Sequence, residues 1–303
     1  MSVEFCGLRL AHPVINGSGT FDAIAARRVF GEQLIQGFPF SAYVSKTITL
    51  EPRDGNPPPR LWEPGSGLIN SIGLPNKGLA GYLAHDLPEL ARISADVGAS
   101  LDCDPPPLIT NVMGSSADHF AALVDACDER AEIAAIELNV SCPNVQTGLD
   151  IGADPRALQQ VVARARERTA KPLIVKLTPN TADVPSCARA AEAGGADAVS
   201  LINTLRAMAL APARPGHTPQ PWLGGRTGGL SGPAIRAVAL AQVAAVAERV
   251  AIPVVGMGGV QCARHARELL DVGATLIAVG TESFRDPAVG RAIAAELGLI
   301  SAT

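Results

Sequence analysis

Short aliphatic and β-branched runs recur along the chain. Each is followed by a loop and then by a stretch in which apolar residues, alanine above all, return every three or four positions. The runs lie at 13–16, 43–48, 108–113, 136–140, 173–177, 198–203, 253–256 and 276–280. Continuous apolar runs of this length read as strands buried on both faces. The intervening periodic stretches, at about 22–35, 86–97, 117–130, 155–169, 183–193, 233–249, 261–272 and 286–296, read as amphipathic helices. Eight strand-then-helix units with no second compositional block predict an α/β protein of the TIM (β/α)₈-barrel type rather than an open doubly wound sheet. Ahead of the first unit, residues 3–5 and 8–10 flank Cys6-Gly7 and predict a small β-hairpin capping the bottom of the barrel. Two stretches rich in proline and glycine, 51–81 and 212–221, are long βα loops expected over the C-terminal face, the second as a lid. Neither resembles a domain boundary, so 1–303 is expected to form one ligand-binding barrel domain.

Composition removes several function classes. A length of 303 residues suits a barrel of roughly 250 residues with extensions. A charged fraction of 18% and a net charge of −4 offer no basic surface, so nucleic acid is not an expected partner. The first residues carry charge where a secretion signal needs an apolar stretch, and 237–250 is interrupted by Gln242, Glu248 and Arg249. A soluble, cytoplasmic protein without membrane contact is therefore expected. The cysteines at 6, 103, 127, 142, 187 and 262 show no CxxC spacing, so no metal is expected. Five of them read as small buried residues, Cys142 being the exception. The histidines at 12, 85, 119, 217 and 265 lack ligand spacing and read as structural or surface residues.

Function in a barrel gathers at the C-terminal ends of the strands, and the unusual residues of this chain fall there. Glycines cluster after the seventh and eighth runs (Gly256, Gly258, Gly259, Gly280, followed by Thr281) and again at Gly228-Gly229-Leu230-Ser231-Gly232. Such turns, leading into helix N-termini, cradle a phosphate with backbone N–H groups. Lys46 and Lys176 lie in apolar runs, where an ammonium needs a partner, and Glu137 is the nearest strand carboxylate. A flavin supplies another partner, because its pyrimidine edge becomes anionic on reduction. Ser18, Thr47 and Asn111 then suit the ring edge or ribityl chain. Asn70, Asn139, Asn144 and Asn203 each pair a donor with an acceptor, which fits a cyclic ureide or imide better than carboxylates would.

Three motifs carry a family resemblance: Asn70-Ser71-Ile72-Gly73-Leu74-Pro75-Asn76, Glu137-Leu138-Asn139-Val140-Ser141-Cys142-Pro143-Asn144-Val145, and Gly228-Gly229-Leu230-Ser231-Gly232-Pro233. From about residue 3 to 284 the chain resembles the dihydroorotate dehydrogenases. The resemblance implies an FMN-containing barrel that oxidises dihydroorotate to orotate in pyrimidine (UMP) biosynthesis. It places Ser18, Lys46, Thr47, Asn111, Asn139, Lys176, Ile202, Gly232, Gly258, Gly259, Gly280 and Thr281 at FMN. It places Lys46, Asn70, Ser71, Ile72, Gly73, Leu74, Asn139, Asn144, Asn203 and Thr204 at the substrate, with the Gly73–Leu74 amides suiting its carboxylate.

A cysteine at 142 is similar to the class 1 members. Residues 53–57, 202–205, 226–229 and 256–259 are more similar to subclass 1B, which pairs the barrel with an electron-transfer subunit holding FAD and a [2Fe–2S] cluster and passes electrons to NAD. Pro75, where many such sequences have glutamine, and the prolines of 212–221 depart from that pattern. The fumarate-linked class 1A and other flavin barrels acting on dihydropyrimidines stay as alternatives. The family also implies a homodimer of barrels. Cys142 is the implied general base for the C5 proton, with hydride passing from C6 to FMN N5. A free thiol titrates near ~8.5, so turnover is expected to rise with pH through that region.

Overall fold

The computed structural model describes residues 2–141, 151–212 and 218–300. Cys142, Asn144 and His217 lie outside the described residues. The expected hairpin is present as β1 (Val3–Phe5) and β2 (Leu8–Leu10), joined through Cys6 and Gly7, both at positive φ. Eight parallel strands follow: β3 (Val14–Asn16), β4 (Tyr43–Val44), then, after two strands outside the barrel, β7 (Leu108–Val112), β8 (Ile133–Asn139), β9 (Leu173–Lys176), β10 (Ala198–Leu201), β13 (Val254–Met257) and β14 (Leu276–Val279). They are hydrogen-bonded in the order β3-β14-β13-β10-β9-β8-β7-β4, with helices between successive strands: the TIM-barrel architecture. The helices open where the sequence provides caps. Asp22, Ser116, Asp154 and Asp183 each accept a backbone N–H of the first turn.

A side chain joins the two ends of that order. Ser41 N–H donates to Val14 C=O at 3.0 Å. One step further, the fully buried carboxamide of Asn16 replaces the backbone ladder, its Oδ1 accepting from Val44 N–H and its Nδ2 donating to Val44 C=O, both at 2.8 Å.

Inward-facing residues change character along the barrel axis. Ile15, Val44, Ile109, Ala135, Ile174, Ala198, Val255 and Leu276 form an apolar layer, closed from below by Phe5 and Leu10 of the hairpin. Two residues further along their strands, the same face carries Asn111, Glu137, Lys176 and Ser200, all buried. The interior is therefore a packed plug whose polar side faces the C-terminal end.

Four expectations are corrected. The run at 43–48 pairs as a strand only through Val44, with Ile48 bridging to Val112, because the chain turns outward at Lys46. Within the long loops, β5 (Leu61–Trp62), β6 (Leu68–Asn70), β11 (Leu205–Ala207) and β12 (Gly228–Ser231) form an antiparallel sheet in the order β11-β12-β6-β5. Trp62 and Trp222 meet edge to face at 5.4 Å over its small core of Ile69, Ala209 and Leu223. The helix expected to begin near 86 starts at Gly78 and passes through a widened turn at Tyr82–Asp86 before Leu87–Leu101. Of the cysteines read as buried, Cys127 and Cys187 are, Cys6 and Cys262 are half-buried, and Cys103 is exposed, beyond the end of Leu87–Leu101.

Candidate active site

A cavity of ≈ 240 Å³ opens at the C-terminal end of the barrel beneath the antiparallel sheet. Every residue expected at the flavin lines it except Asn111, which sits in the polar layer below. Asn70, Ile72, Leu74, Asn203 and Thr204 of the expected substrate set line it too. Ser71 and Gly73 do not. Ser71 Oγ donates to Thr227 C=O at 2.8 Å and accepts from Asn56 Nδ2 at 3.0 Å, so it ties two loops together. Gly73 and Leu74 both have positive φ and turn the chain against Asn56.

One hydrogen-bonded chain forms the floor. Asn139 Nδ2 donates to Thr47 Oγ1 at 3.2 Å, and Asn139 Oδ1 accepts from Ser141 Oγ at 3.1 Å. Ser141 Oγ lies equally close to Lys176 C=O and accepts from Asn203 Nδ2 at 2.9 Å. Asn203 Oδ1 accepts from Thr204 N–H at 2.8 Å. Ser18 Oγ, donating to Ser45 C=O at 2.8 Å, approaches Thr47 Oγ1 at 3.4 Å. Each carboxamide is thereby locked in one orientation, and each keeps an N–H hydrogen that these bonds do not use. Sequence reasoning passed over Ser141, although its place between Asn139 and Cys142 was a usable signal. It also passed over Asn180, which donates to Thr204 C=O and accepts from Arg206 N–H, pinning β11 to the barrel.

Of the two lysines, one differs from expectation. Lys176 is buried as expected, yet its ammonium has no hydrogen bond or ion pair to any described residue. Glu137 does not pair with it, because that carboxylate is engaged by Asn111 and Ser200. Lys46 was expected to be buried and is instead exposed, its side chain standing at the cavity rim where the strand has ended. The protein around its stem pulls the ammonium pKa below the ordinary lysine value, with Asp22 opposing and Arg60 adding to the effect.

The glycines form the far wall. Gly232, Gly258 and Gly259 all have positive φ. A Cβ at Gly259 would lie 2.7 Å from Arg236 Cβ and 2.9 Å from Gly232 C=O, so only glycine lets the backbone pass there. A Cβ at Gly280 would only reach ordinary contact with Thr20 Cγ2 at 3.8 Å, so this position is uncrowded. Thr281 Oγ1 donates to Ser231 Oγ at 2.8 Å, joining this wall to β12.

These groups fit FMN. Lys176 offers a buried ammonium with no partner among the described residues, Asn111 Oδ1 is likewise a buried acceptor without one, and the glycines supply backbone without side chains for a phosphate. Among the described residues no group of three His, Cys, Asp or Glu side chains is placed to hold a metal. Nor is any helix among them long and apolar enough to cross a membrane.

The family model described as "Dihydroorotate dehydrogenase" matches residues 1–300. The chain is 42% identical over 295 residues to the "Dihydroorotate dehydrogenase B (NAD(+)), catalytic subunit" of Pelobacter propionicus, covering 97% of this chain and 91% of that one. The proteins of the same description from Trichlorobacter lovleyi and Desulforudis audaxviator are 42% and 41% identical, covering 97% and 98% of this chain and 91% of each relative.

Proposed function

The chain belongs to the dihydroorotate dehydrogenase family and is an oxidoreductase; on that premise we propose that it oxidises (S)-dihydroorotate to orotate with FMN, for UMP synthesis. Similarity to proteins described as NAD-linked catalytic subunits supports a second subunit, carrying FAD and a [2Fe–2S] cluster, that takes the electrons on to NAD. The observation that carries the reading is the locked chain Thr47–Asn139–Ser141–Asn203 lying beside Lys176, whose ammonium has no partner among the described residues.

Oxidation of the C5–C6 bond removes a proton and a hydride. FMN, when bound, supplies the hydride acceptor. The protein's own part is to hold the ring and take the proton. The remaining N–H hydrogens of Asn139 and Asn203 point the site toward ring carbonyls, and locking their amides in advance removes an ordering cost from binding. Cys142 follows directly on Ser141, itself fixed at the floor, and its Sγ is the base for the C5 proton. Lys176 would hold a bound flavin, its ammonium offsetting the negative charge that FMN carries once reduced. The antiparallel sheet borders the site through Leu61, Leu68, Asn70 and Ser231.

Rapid mixing of the FMN-loaded protein with dihydroorotate tests the assignment. Cys142→Ser should stay folded and flavin-bound while its flavin reduction at pH 7 slows by at least about a hundredfold. An unchanged reduction rate sinks the base assignment. Turnover with fumarate and no second subunit would remove the subunit part of the reading.

A further inference from the structure

Beneath the cavity, Glu137 is 4% exposed and meets no lysine or arginine within ion-pair distance among the described residues. A buried carboxylate without a cation is costly, and a glutamine or an aliphatic residue would fill the same space more cheaply. What a carboxylate offers instead is acceptance at both oxygens. Here Oε1 accepts from Ser200 Oγ at 2.7 Å and Oε2 accepts from Asn111 Nδ2 at 2.5 Å. Asn111 lies opposite Glu137 in the β7–β8 register, and Glu137 lies two residues before Asn139 on the same inward face. The Asn111 backbone N–H is fixed by Ser45 Oγ at 3.0 Å. With its NH₂ committed to Glu137, the amide has one possible orientation. That leaves Oδ1 as the buried acceptor with no partner among the described residues.

We propose that Glu137 is a positioning residue that fixes the Asn111 carboxamide so that its Oδ1 is presented to the bound flavin as a hydrogen-bond acceptor. The inference rests on the FMN reading above. The flavin carries one ring N–H of matching polarity, its imide N–H. Glu137 touches neither flavin nor substrate and acts only through Asn111.

The test is FMN affinity, read from fluorescence quenching as FMN is titrated into the full-length apoprotein, together with the visible spectrum of the bound flavin. In Glu137→Gln, Ser200 still donates to the side-chain oxygen, so the new NH₂ faces Asn111. The Asn111 amide then turns over and presents a donor to a donor. Kd for FMN should rise at least about tenfold, with a shifted flavin spectrum. Adding Asn111→Asp supplies an acceptor on both sides and should bring Kd back to within about threefold of the starting protein. Wild-type affinity and spectrum in Glu137→Gln overturn the inference, and so does a double variant that binds FMN no better than the single one. Should Glu137→Gln alone not fold, the folded double variant carries the test: near-wild-type affinity supports the role, and weak binding refutes it. Wild-type protein that binds no FMN would overturn the proposed function along with this inference. FMN-binding wild type with an unaffected Glu137→Gln overturns this inference alone.

Discussion

Replacing Asn16 should open the barrel at its seam. Its carboxamide is the group that satisfies both Val44 N–H and Val44 C=O between β3 and β4, at 2.8 Å each, in a fully buried position. Asn16→Ala leaves that donor and that acceptor stranded away from water. Each stranded group costs about 1–3 kcal/mol, so a loss of about 2–6 kcal/mol is expected. That is a large share of the roughly 5–15 kcal/mol that holds a typical domain together. Asn16→Asp separates the two bonds. An ionised carboxylate still accepts from Val44 N–H, but it faces Val44 C=O without a proton to donate. The aspartate variant should therefore be at least as unstable as the alanine variant at pH 7 and should recover relative to it as the pH falls. The folded state binds the proton more tightly than the unfolded chain, because a protonated carboxyl repeats the donor–acceptor pattern of the amide. Urea unfolding followed by far-UV circular dichroism, at pH 7 and pH 5, measures both effects. A cost below about 1 kcal/mol for Asn16→Ala would refute the reasoning, since the seam would then be held by something other than this side chain.

At the glycine wall, Gly259→Ala puts a Cβ 2.7 Å from Arg236 Cβ at a residue with φ of +70°. FMN affinity should fall about tenfold or more and stability by about 1–3 kcal/mol, read by flavin titration and thermal unfolding; unchanged values of both exclude the wall from cofactor binding. On the opposite face of the barrel, His12 is buried, accepts from Val14 N–H through Nδ1, and has its pKa lowered from 6.5 to about 4 by burial first and by Arg291 as well. The unfolded chain takes up this proton below pH 6.5 while the folded chain refuses it, so the stability present above that pH is lost as pH falls toward 4. The loss should be of order 3 kcal/mol, and His12→Gln should flatten that part of the stability–pH curve; an equally steep curve in the variant removes His12 as its source.

Much of this was legible in the sequence, for reasons that differ from element to element. Strands such as Leu173–Lys176 are buried on both faces and announce themselves as uninterrupted apolar runs. The glycine wall was legible because backbone at positive φ tolerates little else. The antiparallel sheet was hidden because its strands are two to four residues long and one of them is Gly228-Gly229-Leu230-Ser231. There glycine is demanded by close approach, since a Cβ at Gly229 would overlap the Thr204 side chain. Lys46 misled because an apolar run continues past the last paired residue, Val44, so the strand pattern outlasts the strand. The commitment of Glu137 to Asn111 and Ser200 joins three strands distant in sequence, and no local pattern encodes such a contact.

The pairing of β3 with β14 and the hairpin that plugs the barrel from below carry a consequence for synthesis. Phe5 and Leu10 are synthesised about 245 or more residues ahead of Val255 and Leu276, which are among the surfaces that bury them. Until β13 and β14 are made the growing chain therefore holds a pair of sticky residues whose docking surface is incomplete, and the cylinder cannot close before β14 arrives. Slowed elongation in the second half of the message should lengthen that exposure, and demand for chaperones should peak just before the final strand is made.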